Sequence, residues 1–319
     1  MFSQTPEAQF RFRHFNADID IEYLIQLLTE IENTDHAGED NSEETIKAQL
    51  TWPGHDPFQD RCVVTTGDNE RQMIGFSSVW KVPQNAHADI YVGVHPLWRK
   101  QGIGSALLQR TLARAQALRS QEILVNVDTQ HQDAMKFLQK RAFSPVSAYT
   151  EMRCASSVLL PQPAWPRGYT IHVYNPLQDF SPLLDMYNRA FQGLWGHWEN
   201  VTTKDLYDIL AHQNPAGIFL LRTHSGEVVG TCRGEISEQL SARRGKHTGY
   251  LDCPGVVPEH RTNDLYLPLL LHAAHWVRSQ AAIDIEIESF GDNPQVLAQY
   301  QEAGFKRVRQ QTTYHFSCQ

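Results

Sequence analysis

What the chain lacks narrows it first. Its 319 residues hold five cysteines, Cys62, Cys154, Cys232, Cys253 and Cys318, odd in number, scattered, and without a C-x-x-C spacing. That pattern speaks against a disulfide framework and offers no zinc or redox pair, so reduced thiols and no bound metal are expected. No stretch approaches the roughly 18 apolar residues of a membrane span. The opening MFSQTPEAQF has neither a basic nor an apolar signal region. A cytoplasmic chain with no membrane partner is the expectation. Positive charge is also scarce: 28 Lys and Arg stand against 36 Asp and Glu, for a net charge of −8. Phosphate-backbone recognition needs a clustered positive field, so no nucleic-acid partner is expected. A small cationic or neutral partner fits better. With 41% hydrophobic and 20% charged residues, what remains is an ordinary globular chain long enough for two domains.

What the chain does have is an internal repeat. VHPLWRKQGIGSALL from Val94 aligns without a gap on VVPEHRTNDLYLPLL from Val256, so that Pro96 meets Pro258, 162 residues on, Arg99 meets Arg261 and Leu108 meets Leu270. The same offset carries Ile123 to Ile285 and Phe143 to Phe305. Upstream, ERQMIGFSSVW resembles GEVVGTCRGEI, and FRFRHF near residue 10 resembles GYTIHVY near residue 170, at a slightly shorter offset. Between the halves, the prolines of SSVLLPQPAWP (156–166) deny the chain both helix and central strand. The predicted domains are 1–155 and 167–319, with 156–166 as the linker. Strand patterns at 62–66, 73–80, 88–94 and 122–127 alternate with helical spacing, such as Leu108, Leu112, Ala115 and Leu118 on a helix starting just after Gly104. Each half is therefore expected to be mixed α/β.

The stretch with chemistry in it is ADIYVGVHPLWRKQGIGSALL, Ala88 to Leu108. A strand running through a small-residue loop into a helix leaves the first helical N–H groups without partners, and those donors with the helix dipole make an anion site. Gly102 and Gly104 would let a pyrophosphate approach the backbone. A plain tight turn without a ligand is the alternative. No G-K-[ST] follows, as a Walker A loop requires, and the third glycine of a dinucleotide fingerprint is missing.

Val94-x-Pro96-x-x-Arg99-x-x-Gly102-Ile103-Gly104-x-x-Leu107-Leu108 resembles the (Arg/Gln)-x-x-Gly-x-(Gly/Ala) signature of the GNAT acyltransferases. AMKFLQKRAF, Ala134 to Phe143, resembles that family's later helix, which usually ends in Gly-Phe. The layout is similar to mycothiol-synthase-like tandem members. The resemblance implies an α/β fold of two tandem GNAT-like domains, each a mixed, mostly antiparallel sheet flanked by helices, in a monomer with pseudo-twofold domain pairing. It also implies an N-acyltransferase that uses acetyl-CoA or another short acyl-CoA and a small-molecule amine that attacks the thioester directly. The pyrophosphate would lie on Arg99, Lys100, Gln101, Gly102, Ile103, Gly104 and Ser105, with His131 nearby, and the pantetheine arm along Val92 and Val94. As general base the family pattern suggests Asp89 or, through a water, Tyr91, with Asp128 in reserve; a solvated strand-end charge is the other reading of Asp89.

Departures from the pattern carry weight too. The position of the family's tyrosine acid is Leu138 in the first half. The second half keeps Asn293 and Tyr300 but puts Asp264 and Tyr266 where the glycines stand, which predicts a degenerate cofactor loop with Tyr300 as packing. For the acceptor, Glu32 and Asp35 of the acidic segment 31–44 and Trp195 and Trp198 of the second half are candidates. The competing readings are a solvated acidic loop and interface packing. The expected function is acyl transfer in the first half. A non-catalytic acyl-CoA sensor and catalysis in the second half are the alternatives.

Overall fold

The first helix begins where the Asn16 side chain accepts from the Asp18 N–H at 3.0 Å. This cap separates β1 (Phe10–His14) from α1 (Ala17–Asp35). Leu24, Leu27 and Ile31 recur at helical spacing and are buried. His36 ends the helix in the left-handed conformation, its N–H donating to the Glu32 carbonyl at 2.8 Å. Then follow α2 (Glu43–Leu50), β2 (Arg61–Thr66), β3 (Met73–Trp80), β4 (His87–Val94), α3 (Ile103–Ala117), β5 (Glu122–Asp128), α4 (Gln132–Gln139) and β6 (Ser144–Cys154). The computed structural model describes residues 10–66, 72–82, 86–192, 200–211, 213–262, 264–290 and 293–318. It comprises two compact units: residues 1–146 with 313–319, and residues 147–312.

In the first unit the strand order is β1-β2-β3-β4-β5, with the last residues of β12 (Lys306–Ser317) beyond β5. Neighbours run antiparallel except β4 and β5, which are parallel. Alternation then sorts side chains onto two faces. Val63 and Phe76 join Phe15, Leu24, Leu27, Ile31 and Ile46 under α1 and α2. Val64 and Ile74 meet Ile103 and Leu107 of α3, while Ala88, Ile90 and Ile123 pack with Leu108, Ala115, Leu138 and Tyr314.

The second unit repeats this plan with β7 (Tyr169–Val173), α5 (Phe180–Phe191), α6 (Thr203–Leu210), β8 (Ile218–Thr223), β9 (Val228–Ile236), α7 (Glu238–Arg244), β10 (Thr248–Val256), α8 (Tyr266–Ser279), β11 (Asp284–Phe290) and α9 (Pro294–Glu302). Its order β7-β8-β9-β10-β11 continues to β6 and the start of β12, and β10 and β11 form the parallel pair. The repeat reaches single hydrogen bonds. Asn16 N–H donates to Asp20 at 2.8 Å and Asn175 N–H donates to Asp179 at 2.8 Å, and each carboxylate also holds an arginine of its own unit, Arg13 or Arg222.

The strands lie within a residue of the sequence expectation, and residues 156–166 form neither helix nor strand. Two details differ. The helix after the glycine loop starts at Ile103, not past Gly104, because Gly102 itself takes the cap. The units part at residue 146, ahead of the proline-rich stretch, and the first unit takes in residues 313–319 from the far end of the chain. The end of β12 belongs there because Tyr314 is fully buried in the first unit's core and Thr313 donates to Asn126 of β5 at 2.7 Å. Among the described residues no helix is long and apolar enough to cross a membrane.

Asp20 is completely buried and binds Arg13 through both carboxylate oxygens, at 2.6 and 2.7 Å, besides the Asn16 amide. Asp20→Ala leaves these donors without their acceptor and is expected to destabilise the first unit by about 3 kcal/mol. Urea unfolding followed by tryptophan fluorescence reads this as an earlier first transition. A loss well under about 1 kcal/mol would make the pair a surface ornament.

Candidate active site

β4 and β5 begin as a parallel pair and then part. Only His87, Ala88 and Asp89 pair with Glu122, Ile123 and Leu124, so β4 from Ile90 to Val94 runs without a partner on that side. Backbone groups of an extended strand left facing such an opening can bind an extended ligand. After β4, a short 3-10 turn at Pro96–Trp98 carries the chain through Arg99 to Gly102, at φ 88°, and into α3. That positive φ is why glycine stands at 102. A Cβ there would meet no atom within 4 Å, so the loop faces open space. Gly104 is different: a Cβ would make only ordinary contact with Val94 and Phe137, at 3.6 to 3.9 Å, so the fold itself would accept alanine there.

The N–H groups of Ile103, Gly104 and Ser105 precede the first bond of α3, in which Ala106 N–H donates to the Gly102 carbonyl at 3.1 Å. With no side chain capping the helix, they form a cluster of free donors at the positive end of its dipole. The side chains of Ile103, Val92 and Val94 point into the core, so these three residues offer backbone alone. Lys100 and Gln101 are exposed on the loop, with Lys100 3.4 Å from Asp133. Arg141, outside the loop motif, donates to the Ser105 hydroxyl at 2.7 Å and lies 3.7 Å over the Phe137 ring. It brings a cation to the start of α3 from a helix end that a motif search does not reach.

Arg99 is partly exposed, yet its donors are taken up by the protein. Its guanidinium clasps both oxygens of Asp35 at 2.8 and 2.7 Å, and its Nε donates to the Val94 carbonyl at 3.1 Å. His131 Nε2 lies 2.8 Å from the Asp35 carbonyl. Glu32 accepts from the amides of Gly38 and Glu39, at 2.7 and 3.3 Å. Glu32 and Asp35, the acidic candidates for the acceptor, thus tie the end of α1 to the next loop and to the glycine turn. Trp195 and Trp198 lie outside the described residues.

Pairing of β3 with β4 runs without a bulge, so alternation holds, and Asp89, Tyr91 and Gly93 share the face under α1 and α2. Asp89 keeps 43% of its side chain exposed, with His87 3.9 Å away. Burial pushes its pKa up, opposed by His87. The Tyr91 ring stands 6.0 Å from Phe76, and its hydroxyl rests over Gly93. Burial first, and then the charges of Glu39, Asp35 and Glu32, raise the phenol far above its usual range against Arg99, so it stays protonated. Asp128 is buried and turned to the Gln130 amide at 2.9 Å. Leu138 is core. Trp80, the cross-strand partner of Asp89, packs on Trp52 with ring centroids 4.8 Å apart. Period-two alternation from Phe76 through Ser78 could have marked Trp80 as belonging to this face.

The second unit keeps the turn with other residues at the glycine positions. Asp264 has φ 50° at the position of Gly102, and Arg261 Nε donates to the Val256 carbonyl at 3.2 Å, as Arg99 does to Val94. A carboxylate therefore stands at the loop. Tyr266 begins α8, and Pro268 is buried in the helix's first turn without an N–H. β10 and β11 pair over five residues rather than three, and Phe191 packs against Gly255, the counterpart of Gly93. Tyr300 is fully buried in the core of its unit. Among the described residues no group of three His, Cys, Asp or Glu could hold a metal ion.

If Asp35 and Arg99 act as one brace, a double-mutant cycle of Asp35→Asn and Arg99→Gln should give a coupling of about 1 kcal/mol in stability, at the upper end for a partly exposed pair. Additive losses would show that the two groups act separately.

Known proteins can now be set beside this geometry. The model of the "Acetyltransferase (GNAT) family" matches residues 25–143 and again 180–305. A protein named mycothiol acetyltransferase from Saccharomonospora viridis is 26% identical over 231 residues, covering 69% of this chain and 72% of that protein. Its namesake from Renibacterium salmoninarum is 23% identical over 287 residues, covering 82% of each. Among solved structures, a GCN5-related N-acetyltransferase from Sphaerobacter thermophilus superposes with a TM-score of 0.71 at 19% identity, covering 97% of this chain and 96% of that one. A tandem GNAT protein from the clavulanic acid biosynthesis pathway gives a TM-score of 0.60 at 17% identity, with 97% and 98% covered. At these identities the likeness is one of fold.

Proposed function

The chain belongs to the GNAT acetyltransferase family and is an N-acyltransferase, and from that premise we propose that it moves an acetyl or other short acyl group from acyl-CoA to a small-molecule amine in its first unit. One observation carries the choice of unit: free helix amides at Ile103 to Ser105 stand beside the open stretch of β4 only where the loop has glycine. These residues fit the cofactor. The amides and helix dipole suit a pyrophosphate, Gly102 and Gly104 leave room for it, and Ile90 to Val94 offer an extended backbone to a pantetheine arm. Bound there, the acyl-CoA would supply the thioester carbon that an amine attacks.

For the chain's own part, Asp89 takes the proton that the incoming ammonium must lose. Its raised pKa brings it closer to the task, and its partial exposure leaves room for a water in the relay. Tyr91, kept protonated, is a donor and not a base. A backbone N–H of β4 past Asp89 can donate to the thioester oxygen. In the second unit Asp264 sets a carboxylate where the anion would sit and Tyr266 occupies the place of Gly104. One acyl-CoA per chain follows from this. The mycothiol acceptor in the relatives' name is one amine for the panel below.

Calorimetric titration with acetyl-CoA should return a single site per chain. Gly104→Ala adds a methyl that the protein tolerates, so loss of that site reads ligand space and not misfolding. Two equivalent sites, or full affinity in a Gly102→Val, Gly104→Val double variant, would move the cofactor elsewhere.

Asp89→Asn should lower kcat on the preferred amine by about 100-fold or more with little change in cofactor affinity. A base works only when ionised, so the wild-type rate should fall as pH drops through the raised pKa of Asp89, and this limb should vanish in the variant. An unchanged limb would exclude Asp89.

A further inference from the structure

Two buried donors on the face that carries Asp89 and Tyr91 have no acceptor among the described residues. Arg61 is the start of β2, only 3% exposed, and its Nη1 has no hydrogen-bond partner among the described residues. Trp80 ends β3, and its indole Nε1–H is likewise buried without a partner. Strand register brings them together. Arg61 pairs with Ser78, Ser78 pairs with Tyr91, and Trp80 pairs with Asp89, so the four chemically relevant side chains occupy two adjacent rows across β2, β3 and β4. Diagonal neighbours such as Arg61 and Trp80 have Cα atoms about 7–8 Å apart. The guanidinium lies on the same face as Tyr91: its carbon is 5.5 Å from the Phe15 ring centroid and 5.8 Å from that of Phe76, the ring that meets Tyr91.

The neighbouring acids do not neutralise Arg61 by contact. Its Nε donates to His55 Nε2 at 2.9 Å, and the other ring nitrogen of His55 faces Asp60 at 3.3 Å. Asp60 is otherwise engaged by Arg114 at 2.7 Å and by the Asp56 amide at 2.6 Å. A buried guanidinium with an open donor and only a neutral imidazole as hydrogen-bond acceptor is unfavourable alone and becomes favourable against an anion. Burial lowers the Arg61 pKa to about 10, which still leaves it cationic at neutral pH.

We infer that Arg61 Nη1, helped by the Trp80 indole N–H, binds an anionic oxygen group, carboxylate or phosphate, on the acceptor whose amine lies at Asp89. The inference rests on the acceptor face assigned under the proposed function and narrows its substrate class: the acceptor carries both an amine and an anion. Arg61 and Tyr91 stand two strand spacings apart, about 9–10 Å, and the guanidinium reaches the Phe76 ring on the strand between them, so a short linker between amine and anion suffices. Arg61 and Trp80 are specificity determinants in this scheme and take no part in the acyl transfer.

Matched amines test it: β-alanine against β-alaninamide, and aminopropyl phosphate against aminopropanol. Each is titrated into protein saturated with CoA and, separately, assayed for thiol release from acetyl-CoA. Wild type should bind at least one anionic member about tenfold or more tightly than its neutral partner, the size of one charge-assisted hydrogen bond, and which pair shows the larger ratio tells carboxylate from phosphate. Arg61→Gln should bring the ratio close to one, with acetyl-CoA affinity kept; if that variant does not fold, Trp80→Phe, which deletes only the N–H, should lower the ratio about threefold. Equal binding within both pairs in wild type, or ratios unmoved in the folded variant, overturns the inference. Thiol release without charge preference keeps the transferase and removes the anion site. Charge-selective binding without thiol release from any amine keeps the anion site and counts against the transfer reaction.

Discussion

The clasp of Arg99 on Asp35 decides the geometry of the first unit's loop. The two terminal guanidinium nitrogens go to the Asp35 carboxylate and Nε goes to the last carbonyl of β4, while His131 meets the Asp35 main chain. The last residue of α1, the glycine turn and the start of α4 are thereby held at one point. A bidentate arginine suits this because its planar fork fixes direction as well as distance. The amides that open α3, Ile103 to Ser105, follow directly on this turn and precede the first bond of the helix.

The two units share a backbone plan and differ in the residues that stand at the loop. The second keeps the order of strands, the parallel pair, the Asn-and-Asp turn before its first helix and the arginine bond to the end of the middle strand. It even keeps the left-handed residue of the loop, since aspartate tolerates that conformation better than most side chains. The substitution therefore preserves the turn and reverses its electrostatics. Meanwhile Phe191 covers Gly255 on the face that in the first unit carries Tyr91 over Gly93. The fold is common to both because its core does not depend on the residues of the loop.

Much of this was legible from residue order. Alternation gave the strands to within a residue, since that pattern is a direct consequence of one buried face. The glycine turn was visible because the positive φ at residue 102 favours glycine. The partners of the acidic residues were not legible, for an equally physical reason. Glu32 and Asp35 read as an attractive field for a cation, yet each has a nearby donor that sequence does not announce, at a separation of 64 residues for Arg99. Arg61 and Trp80 went unremarked because an arginine at a strand start and a tryptophan at a strand end look ordinary until the register sets them beside Asp89 and Tyr91.

By itself the sequence determined the repeat, the alternation of strand and helix in each half and the asymmetry between a glycine loop and its acidic counterpart, because these depend on local propensity and on residue types at fixed spacing. Only the tertiary structure decided which charges are spent on each other, where β4 leaves β5, and that the first unit takes its last strand from the far end of the chain. Those outcomes depend on contacts between residues distant in sequence, and no local pattern encodes the partner that a buried charge will find.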